Sequence, residues 1–287
     1  MANRISGPSL RAQLLGQELQ VARKSARVRM QDAAEFLQVD TAKISRMESA
    51  TYPPKRAEVL ALLDFYVVSD VRKRRLMVQL TDDIWRKGWW DGYRRDVDRE
   101  FVDYPWLEAR ADRIMSYEVL ALSGLMQTRA YATAVIQRAE GVGADDVQLQ
   151  RLVELRMTRQ RILDEETPRI VEAVIDESAL RRLVGGTSVM RDQLEHLVAL
   201  TGRPNVVIRV MPMAEDWHFG YAGPFTLFGM AEPYPDVAYA ENLAGGAFVE
   251  EAADVDRFRR AYDQLQASAY TPERSREIIS DIAKDLA

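Results

Sequence analysis

The imidazole groups of the chain are the first candidates for chemistry, and one of them follows two carboxylates. Glu215 and Asp216 stand just before His218, in a loop bounded by glycine. This arrangement could supply a general acid and base, or half of a metal site. The chain has only two histidines and no cysteine, and no second histidine lies near His218 in sequence. A histidine that lines a pocket, or that loop hydrogen bonds satisfy, is therefore the better interpretation.

Three further groups of polar residues have simpler explanations than catalysis. His196 follows a glutamate inside a predicted helix, where packing explains it. The run GGTS at 185–188 follows a helix and lacks the lysine of a nucleotide-binding loop, so it predicts a helix end and a new N-cap. Asp176 and Glu177 close a predicted strand and are expected to begin the next helix. We therefore expect no catalytic residue, no metal and no cofactor, and predict that the chain is not an enzyme.

Aromatic side chains gather in the same loop as His218. Burial in the core explains such a cluster, and the alternative is a rim over a pocket or a partner groove. The candidate residues for a ligand or partner rim are Trp217, His218, Phe219 and Tyr221.

The composition is that of an ordinary globular chain with room for two domains. Of its 287 residues, 47% are hydrophobic and 29% charged, and no stretch approaches the roughly 20 apolar residues of a membrane-spanning helix. The polar start MANRISGPSL does not fit a secretory signal, so we expect a cytoplasmic protein. Residues 1–80 hold 14 basic and 8 acidic residues, whereas the remainder holds 25 and 36. This charge asymmetry suggests that the basic segment 1–80, here called the basic head, binds a polyanion, whereas the acidic remainder does not.

The elements that would position these groups differ between the two halves. Apolar spacing and helix-starting residues predict short helices in the basic half, at Ser9 to Lys24, Met30 to Leu37, about 41–49, Glu58 to Tyr66 and Val71 to Trp85.

The aromatic-rich segment from Trp85 to Trp106 is interpreted as a connector packed against one or both domains. Stacking on single-stranded bases is the alternative, and the acidic residues interspersed there argue against it.

Within the basic half, one segment has the spacing of a helix-turn-helix. Ala33 and Ala34 are small enough for two helices to cross closely, and Val39 can fill the turn. Asp40 is a good N-cap for the next helix, whose inner face would present Ile44 and Met47. Such a unit places its second helix in the major groove of DNA. Helical hairpins that do not bind DNA would also satisfy this spacing.

The segment KISRMES resembles a signature of the Xre-type (lambda-repressor-like, Cro-like) helix-turn-helix family, and the resemblance covers residues 9–70. It implies double-stranded DNA as a partner. A phosphate contact is implied for Gln31, and Lys55 and Arg56, which follow the third helix, are expected to hold the backbone as well. Glu48 is expected to form an ion pair with an arginine of the same basic head. The residues expected to read bases are Thr41, Ala42, Lys43, Ser45 and Arg46, with a solvated side chain as the alternative for Arg46.

The chain departs from that family where glycine is customary. Gln38 takes the place of the turn glycine, and Ala50 or Thr51 that of the glycine after the glutamate. We therefore expect Gln38 to adopt a left-handed backbone conformation at modest cost.

The acidic half predicts strands separated by helices. The strands are expected at 169–175, 205–210, 223–229 and 236–241, and the helices near 107–121, 128–139, 145–165, 177–183, 188–201, 251–267 and 272–286. The chain would thus be α+β and mainly α, with an all-α helix-turn-helix domain and a larger C-terminal α/β domain that has a small sheet. The predicted domains are 1–70, a helical, Trp-rich connector at 71–105, and 106–287.

The acidic half is also similar, over about residues 104–280, to the C-terminal domain of an actinobacterial (Streptomyces-type) regulator family. The segments that carry the similarity include ALSGLMQTRAYATAV, VIDESALRRLVGG and GPFTLFGM. The resemblance implies a regulator whose large domain has no secure biochemical function, and a small acidic partner protein often encoded beside it.

Together these patterns predict a sequence-specific, autoregulatory DNA-binding transcription regulator that is cytoplasmic and nucleoid-associated. Its C-terminal domain would form a homodimer, because one short helix reads few base pairs and a two-fold protein on a palindromic site is the usual solution. That domain would also take a partner protein or ligand. The alternative is an antitoxin-like adaptor whose main role is to bind a small neighbouring-gene protein.

Overall fold

The computed structural model describes residues 9–93, 96–97, 101, 103–140, 145–215, 218–242 and 245–286. The chain forms two compact units. The N-terminal unit takes in the chain up to residue 94 together with the short segments Phe101–Trp106 and Glu232–Tyr234, and the C-terminal unit takes in the rest. Among the described residues, no helix is both long enough and apolar enough to cross a bilayer.

The N-terminal unit is helical, with bounds close to those predicted. Its buried side chains come from every helix and include Leu15, Leu19, Ile44, Leu62 and Leu80. The helices are α1 (Leu10–Ser25), α2 (Met30–Leu37), α3 (Thr41–Glu48), α4 (Arg56–Phe65) and α5 (Val71–Trp85).

Side-chain caps explain where three of these helices begin. The Ser9 hydroxyl accepts a hydrogen bond from the amide of Ala12 at 3.3 Å. Asp40 caps α3 and Asp70 caps α5, each by accepting the amide hydrogen of the residue three positions on. Each cap satisfies an amide that has no partner within its own helix, which fixes the start of the helix.

A buried polar network holds α1 and α5 within the N-terminal unit. The Arg11 guanidinium donates to the carboxylate of Asp103 at 3.1 Å and to the backbone carbonyl of Asp83 at 2.9 Å. The Asp83 carboxylate in turn accepts from the Trp106 indole at 3.2 Å and from the Tyr234 hydroxyl at 2.5 Å. Because these buried charges have partners, burying them does not leave an uncompensated ion.

The C-terminal unit is built on a mixed sheet in the order β3-β2-β1-β4-β5-β6. The pairs β1–β2 and β2–β3 are parallel, and β1–β4, β4–β5 and β5–β6 are antiparallel. The strands are β1 (Ala111–Glu118), β2 (Ile170–Asp176), β3 (Val206–Met211), β4 (Phe225–Met230), β5 (Val237–Asn242) and β6 (Gly245–Val249). This architecture confirms the predicted α+β class.

Helices cover the sheet and complete its core. Buried side chains of the central strands, such as Tyr117, Val174 and Leu227, pack against Tyr262 and Leu265 of α11. The helices in this part of the chain are α6 (Tyr104–Arg110), α7 (Arg129–Glu140), α8 (Asp146–Arg159), α9 (Glu177–Arg181), α10 (Thr187–Leu200), α11 (Ala252–Ser268) and α12 (Pro272–Asp285).

Two parts of the sheet differ from the sequence prediction. The helix predicted at 107–121 is wrong, since α6 ends at Arg110 and β1 follows directly. In β1, Ile114 lies between Val171 of β2 and Phe228 of β4, so pairing on both edges overrides local helix propensity. The short edge strand β6 was not predicted, because glycine at its first two positions gives a weak strand signal.

Candidate nucleic-acid interface

The turn between α2 and α3 has the predicted left-handed residue. Gln38 lies at φ 54° and ψ 46°, which confirms the expectation for this position. The amide of Val39 donates to the carbonyl of Ala34 at 2.9 Å, and that of Gln38 to Glu35 at 3.1 Å. These bonds end α2 and turn the chain so that Asp40 can cap α3, where its carboxylate accepts from the Lys43 amide at 2.6 Å.

Small residues let the helices around α3 approach closely. Ala33 and Ala34 are buried in α2, and Ile44 and Met47 are buried on the inner face of α3, as predicted. Gly16 of α1 was not singled out from the sequence. A Cβ at this position would lie 2.6 Å from the carbonyl oxygen of Glu48, so α1 can lie this close to the end of α3 only with glycine here.

An ion pair fixes the inner side of α3. The Arg23 guanidinium donates from Nε to one oxygen of Glu48 at 2.5 Å and from Nη2 to the other at 2.9 Å. Arg23 also donates to the carbonyl of Val28 at 3.0 Å. The hydrogen bond with Glu48 raises the pKa of Arg23. Glu48 therefore has the structural role expected of it, and the pair holds α3 against α1.

The opposite face of α3 is open. Thr41, Ala42, Ser45 and Arg46 are all exposed. The Arg46 guanidinium lies 3.7 Å from the Asp40 carboxylate, and half of its side chain is accessible. Four of the five side chains predicted to read bases thus lie on the exposed face of α3. The Arg23–Glu48 ion pair and the buried apolar residues lie on its inner face.

Lys43, the fifth predicted base reader, is engaged elsewhere. It is half-buried, with its ammonium 2.6 Å from a carboxylate oxygen of Glu58 and 5.2 Å from the centre of the Tyr52 ring. The hydrogen bond with Glu58 raises the pKa of Lys43. This contact joins α3 to α4, so Lys43 would have to release Glu58 before it could reach a base. The partner lies 15 residues away in sequence, and no local pattern points to it.

The three predicted phosphate contacts are exposed. Gln31 lies in the first turn of α2, and its amide donates to Glu35 at 3.2 Å. Lys55 is the residue before α4, and its backbone amide donates to Glu58 at 2.7 Å, which leaves its ammonium at the surface. Arg56 pairs with Asp82 of α5. Lys55 thus presents its ammonium to solvent, whereas Gln31 and Arg56 are each shared with a carboxylate.

The basic run at the start of α5 is largely neutralised within the N-terminal unit. Lys73 lies 2.9 Å from Glu18, and Arg74 lies 2.7 Å from Asp64. Arg72 and Arg75 both lie within 3.6 Å of Glu232. These partners are distant in sequence, so the run alone could not show that its charges are compensated.

In the C-terminal unit the predicted rim is only partly described. His218 is half-buried, and its Nδ1 accepts from the amide of Gly220 at 3.1 Å, as expected of a satisfied loop histidine. Its ring packs edge-on against Tyr117, with the centroids 5.9 Å apart. Phe219 and Tyr221 are exposed, by 51% and 68%. Trp217 lies outside the described residues.

The other polar groups considered for chemistry have structural roles. Asp176 caps α9 by accepting from the Ser178 amide at 2.9 Å, and Gly186 is the N-cap of α10, as predicted. His196 lies half-buried in α10, and burial lowers its pKa. Over the part of the chain that the structure describes, no group of three His, Asp or Glu side chains is arranged to hold a metal ion.

Two family models match the chain. One, described as a helix-turn-helix domain, matches residues 14–76, which include α2 and α3. The other, described as a domain of unknown function (DUF5753), matches residues 101–281. No curated protein and no solved structure matches the chain significantly. The first match confirms the helix-turn-helix prediction and indicates DNA binding and transcription regulation. Since the second model covers more than half of its length, the chain belongs to the family of proteins that carry the DUF5753 domain.

Proposed function

We propose that the protein is a sequence-specific double-stranded DNA-binding transcription regulator that controls its own gene. The exposed face of α3 carries this proposal: Thr41, Ala42, Ser45 and Arg46 project from a helix whose other side is fixed by buried residues. A short helix with one free face, capped at its start, suits the major groove, which admits an α-helix.

The chemistry of that face suits base edges. Arg46 can donate two parallel hydrogen bonds to guanine O6 and N7, the commonest specific contact. Thr41 and Ser45 offer hydroxyls that both donate and accept, and the methyl group of Ala42 can contact thymine. Lys43 would contribute only after its ion pair with Glu58 opens, so we place it last among the base readers.

Phosphate contacts would hold this helix in register. Gln31, Lys55 and Arg56 are exposed, and the basic charge of residues 1–80 provides the attraction for the polyanion. These contacts carry no sequence information, so specificity would come from α3. The resemblance to actinobacterial Xre-type regulators supports this role, and a DNA-bound protein of this kind would be cytoplasmic and nucleoid-associated.

We further propose that the C-terminal domain forms a homodimer, which would place two α3 helices on a palindromic site. The edge strand β6 supports this proposal. Within the described residues β6 pairs with β5 alone, and its sequence GGAFV has none of the lysines or prolines that protect edge strands from pairing. Two copies of β6 side by side, antiparallel, would satisfy two-fold symmetry.

The dimer proposal has a direct test in solution. Light scattering during gel filtration should give the mass of two chains. Ala247→Lys, on the exposed edge, should shift the protein towards a monomer, whereas Ala253→Lys, on an exposed turn of α11, should not. A monomeric wild-type protein over the whole micromolar range would contradict the proposal.

The second candidate function is an antitoxin-like adaptor that binds a small partner protein. The exposure of Phe219 and Tyr221 beside His218 favours it, because exposed aromatic side chains are typical of interaction surfaces. The remainder of the chain beyond residue 80 is acidic, so an acidic partner would have to bind through apolar contacts. Purification from the host with a stoichiometric small protein, lost in Phe219→Ser/Tyr221→Ser, would support the adaptor.

The main proposal is tested by fluorescence anisotropy with the DNA upstream of the protein's own gene and with a scrambled duplex. We expect tighter binding to the native duplex at two salt concentrations. Equal, weak binding to both duplexes that vanishes with salt would contradict sequence-specific recognition, because it would show only the electrostatic attraction of a basic head.

A further inference from the structure

The described part of the N-terminal unit contains a pocket beside the start of α4 and the end of α5. Its volume is about 660 Å³, which lies within the range of roughly 300–1,000 Å³ that is typical of small-ligand sites. The pocket is lined by Lys55, Arg56, Thr81, Asp82, Trp85 and Arg86.

Trp85 gives the pocket an apolar surface that is held in place. It is the last residue of α5, and 56% of it is exposed. The indole Nε1 donates a hydrogen bond to the carbonyl oxygen of Pro54 at 3.0 Å. Because this bond fixes one edge of the ring, the exposed indole can receive a flat apolar group with little further loss of side-chain freedom.

The charges around the pocket leave a positive excess. Asp82 is the one carboxylate among the lining residues, and it pairs with Arg56. In the described residues no carboxylate forms an ion pair with the Lys55 ammonium or the Arg86 guanidinium. Lys55 and Arg86, which form no ion pair with a carboxylate among the described residues, lie beside an exposed indole. This arrangement favours an anion with a flat aromatic body, since guanidinium and carboxylate pair through two parallel hydrogen bonds.

We propose that this pocket binds a small aromatic carboxylate and that the bound ligand lowers the affinity of the protein for DNA. The carboxylate would pair with Arg86 and Lys55, and the aromatic body would pack on Trp85. The effect on DNA rests on the proposed function above, in which Lys55 and Arg56 hold the phosphate backbone. One lysine cannot fully serve both anions, so ligand and DNA would weaken each other by the same factor.

A carboxylate also connects the pocket wall to α3. Glu58 accepts from the Lys55 amide at 2.7 Å and from the Lys43 ammonium at 2.6 Å. A ligand that draws Lys55 towards the pocket would therefore act on a neighbour of Glu58, the residue whose carboxylate joins α4 to Lys43 of α3. Lys55 and Glu58 would thus link the proposed ligand to Lys43 of α3.

The probe for the test is 2-naphthoate, with neutral 2-naphthalenemethanol as its matched control. Titration calorimetry on the full-length protein should show saturable binding of the carboxylate and at least tenfold weaker binding of the alcohol. Arg86→Gln and Trp85→Leu should each weaken 2-naphthoate binding about tenfold, as expected for a lost charged hydrogen bond or stacking surface. Arg27→Gln, at another exposed arginine of the N-terminal unit, should leave binding unchanged.

Two results would overturn the pocket proposal: no saturable binding of 2-naphthoate, or binding that the Arg86 and Trp85 variants leave unchanged. Circular dichroism would verify that both variants are folded. In the second arm, 2-naphthoate at its wild-type dissociation constant should reduce affinity for the upstream duplex in the wild type and much less in Arg86→Gln, which binds the probe more weakly. An unchanged wild-type affinity for DNA would overturn the competition. If the wild type binds no duplex without ligand, the proposed function fails, and the calorimetric result still decides the pocket.

Discussion

The guanidinium of Arg23 and the carboxylate of Glu48 form a paired contact in which two nitrogens meet two oxygens, at 2.5 and 2.9 Å. Only 9% of the Arg23 side chain and 3% of the Glu48 side chain are exposed. Arg23 lies in the last turn of α1 and Glu48 is the last residue of α3. The pair therefore fixes α3 on the side opposite the exposed face that we propose to read bases.

Breaking this pair should destabilise the protein strongly. Arg23→Ala leaves the Glu48 carboxylate buried without its partner, which costs about 3–5 kcal/mol of unfolding free energy. Urea denaturation followed by circular dichroism measures the loss. Arg29→Ala is the matched control, because it removes an exposed i,i+3 pair with Asp32 and should leave stability nearly unchanged. Similar small losses in both variants would show that the buried pair contributes little.

Gly16→Ala separates close packing from helix propensity. In the interior of a helix, alanine is favoured over glycine by about 1 kcal/mol. Here the new Cβ would meet backbone oxygens of Glu48 at 2.6 Å and Met47 at 3.0 Å, and backbone cannot rotate away. We expect a net loss of about 1–3 kcal/mol in chemical denaturation. The exposed Gln17→Ala, one residue along α1, should be close to neutral, and a stabilised Gly16→Ala would refute the close approach of α1 to α3.

Gln38→Gly should stabilise the turn of the helix-turn-helix. Gln38 has a φ of 54°, a conformation that glycine adopts without steric cost. We expect the unfolding free energy to rise by about 0.5–1 kcal/mol, measured by thermal and urea denaturation. Gln17→Gly, at an exposed position in α1, should lower it by about 1 kcal/mol. Equal losses in both variants would mean that the left-handed turn does not persist in solution.

Much of this interface could be predicted from local sequence. Asp40 acts on the residues directly after it, so the start of α3 follows from the local sequence. The partners of Lys43 and Arg56 could not be predicted, because Glu58 and Asp82 lie 15 and 26 residues away, and many carboxylates compete in the sequence. The exposed face was therefore predicted more completely than the ion pairs beside it.

The sheet shows the same limit on a larger scale. The residues of β1, ADRIMSYE, include Ala, Arg, Met and Glu, which favour helix. Their strand conformation depends on β2, 57 residues further along at the Arg113–Ile170 pair, and on β4, more than 100 residues away. A window of local sequence contains neither partner. The prediction of a helix at 107–121 failed for this reason.

Base reading and phosphate contact should respond differently to mutation. Arg46→Ala should cost about 1–3 kcal/mol on the operator and little on random duplex, the response of a base contact. Lys55→Ala should weaken binding to both duplexes and reduce the slope of log affinity against log salt by about one. Anisotropy titrations at several salt concentrations measure both effects. Equal losses of Arg46→Ala on both duplexes would reassign Arg46 to a phosphate.

Arg46→Lys refines the same experiment. Lysine keeps the positive charge but cannot form the planar pair of hydrogen bonds that guanine accepts from arginine. We therefore expect binding to random duplex to be retained and discrimination between operator and random duplex to fall. A variant that discriminates as well as the wild type would show that Arg46 acts only through its charge.

Glu118, at the end of β1, should make stability depend on pH. Desolvation raises its pKa from 4.5 to about 7, against a hydrogen bond from Ser116 and the positive charges of Arg156 and Arg159. The folded state thus holds this proton more tightly than the unfolded chain, so the protein loses stability as the pH rises from about 4.5 through 7, by up to roughly 3 kcal/mol. Glu118→Gln cannot ionise, so its stability relative to the wild type should increase over that range in urea denaturation at pH 5, 6, 7 and 8.

The exposed Glu154→Gln is the control for this pH dependence. It should show no such trend between pH 5 and 8, because pairing with Arg129 lowers the pKa of Glu154 and keeps it ionised. A constant difference between Glu118→Gln and the wild type across the four pH values would mean that the carboxyl of Glu118 is solvated.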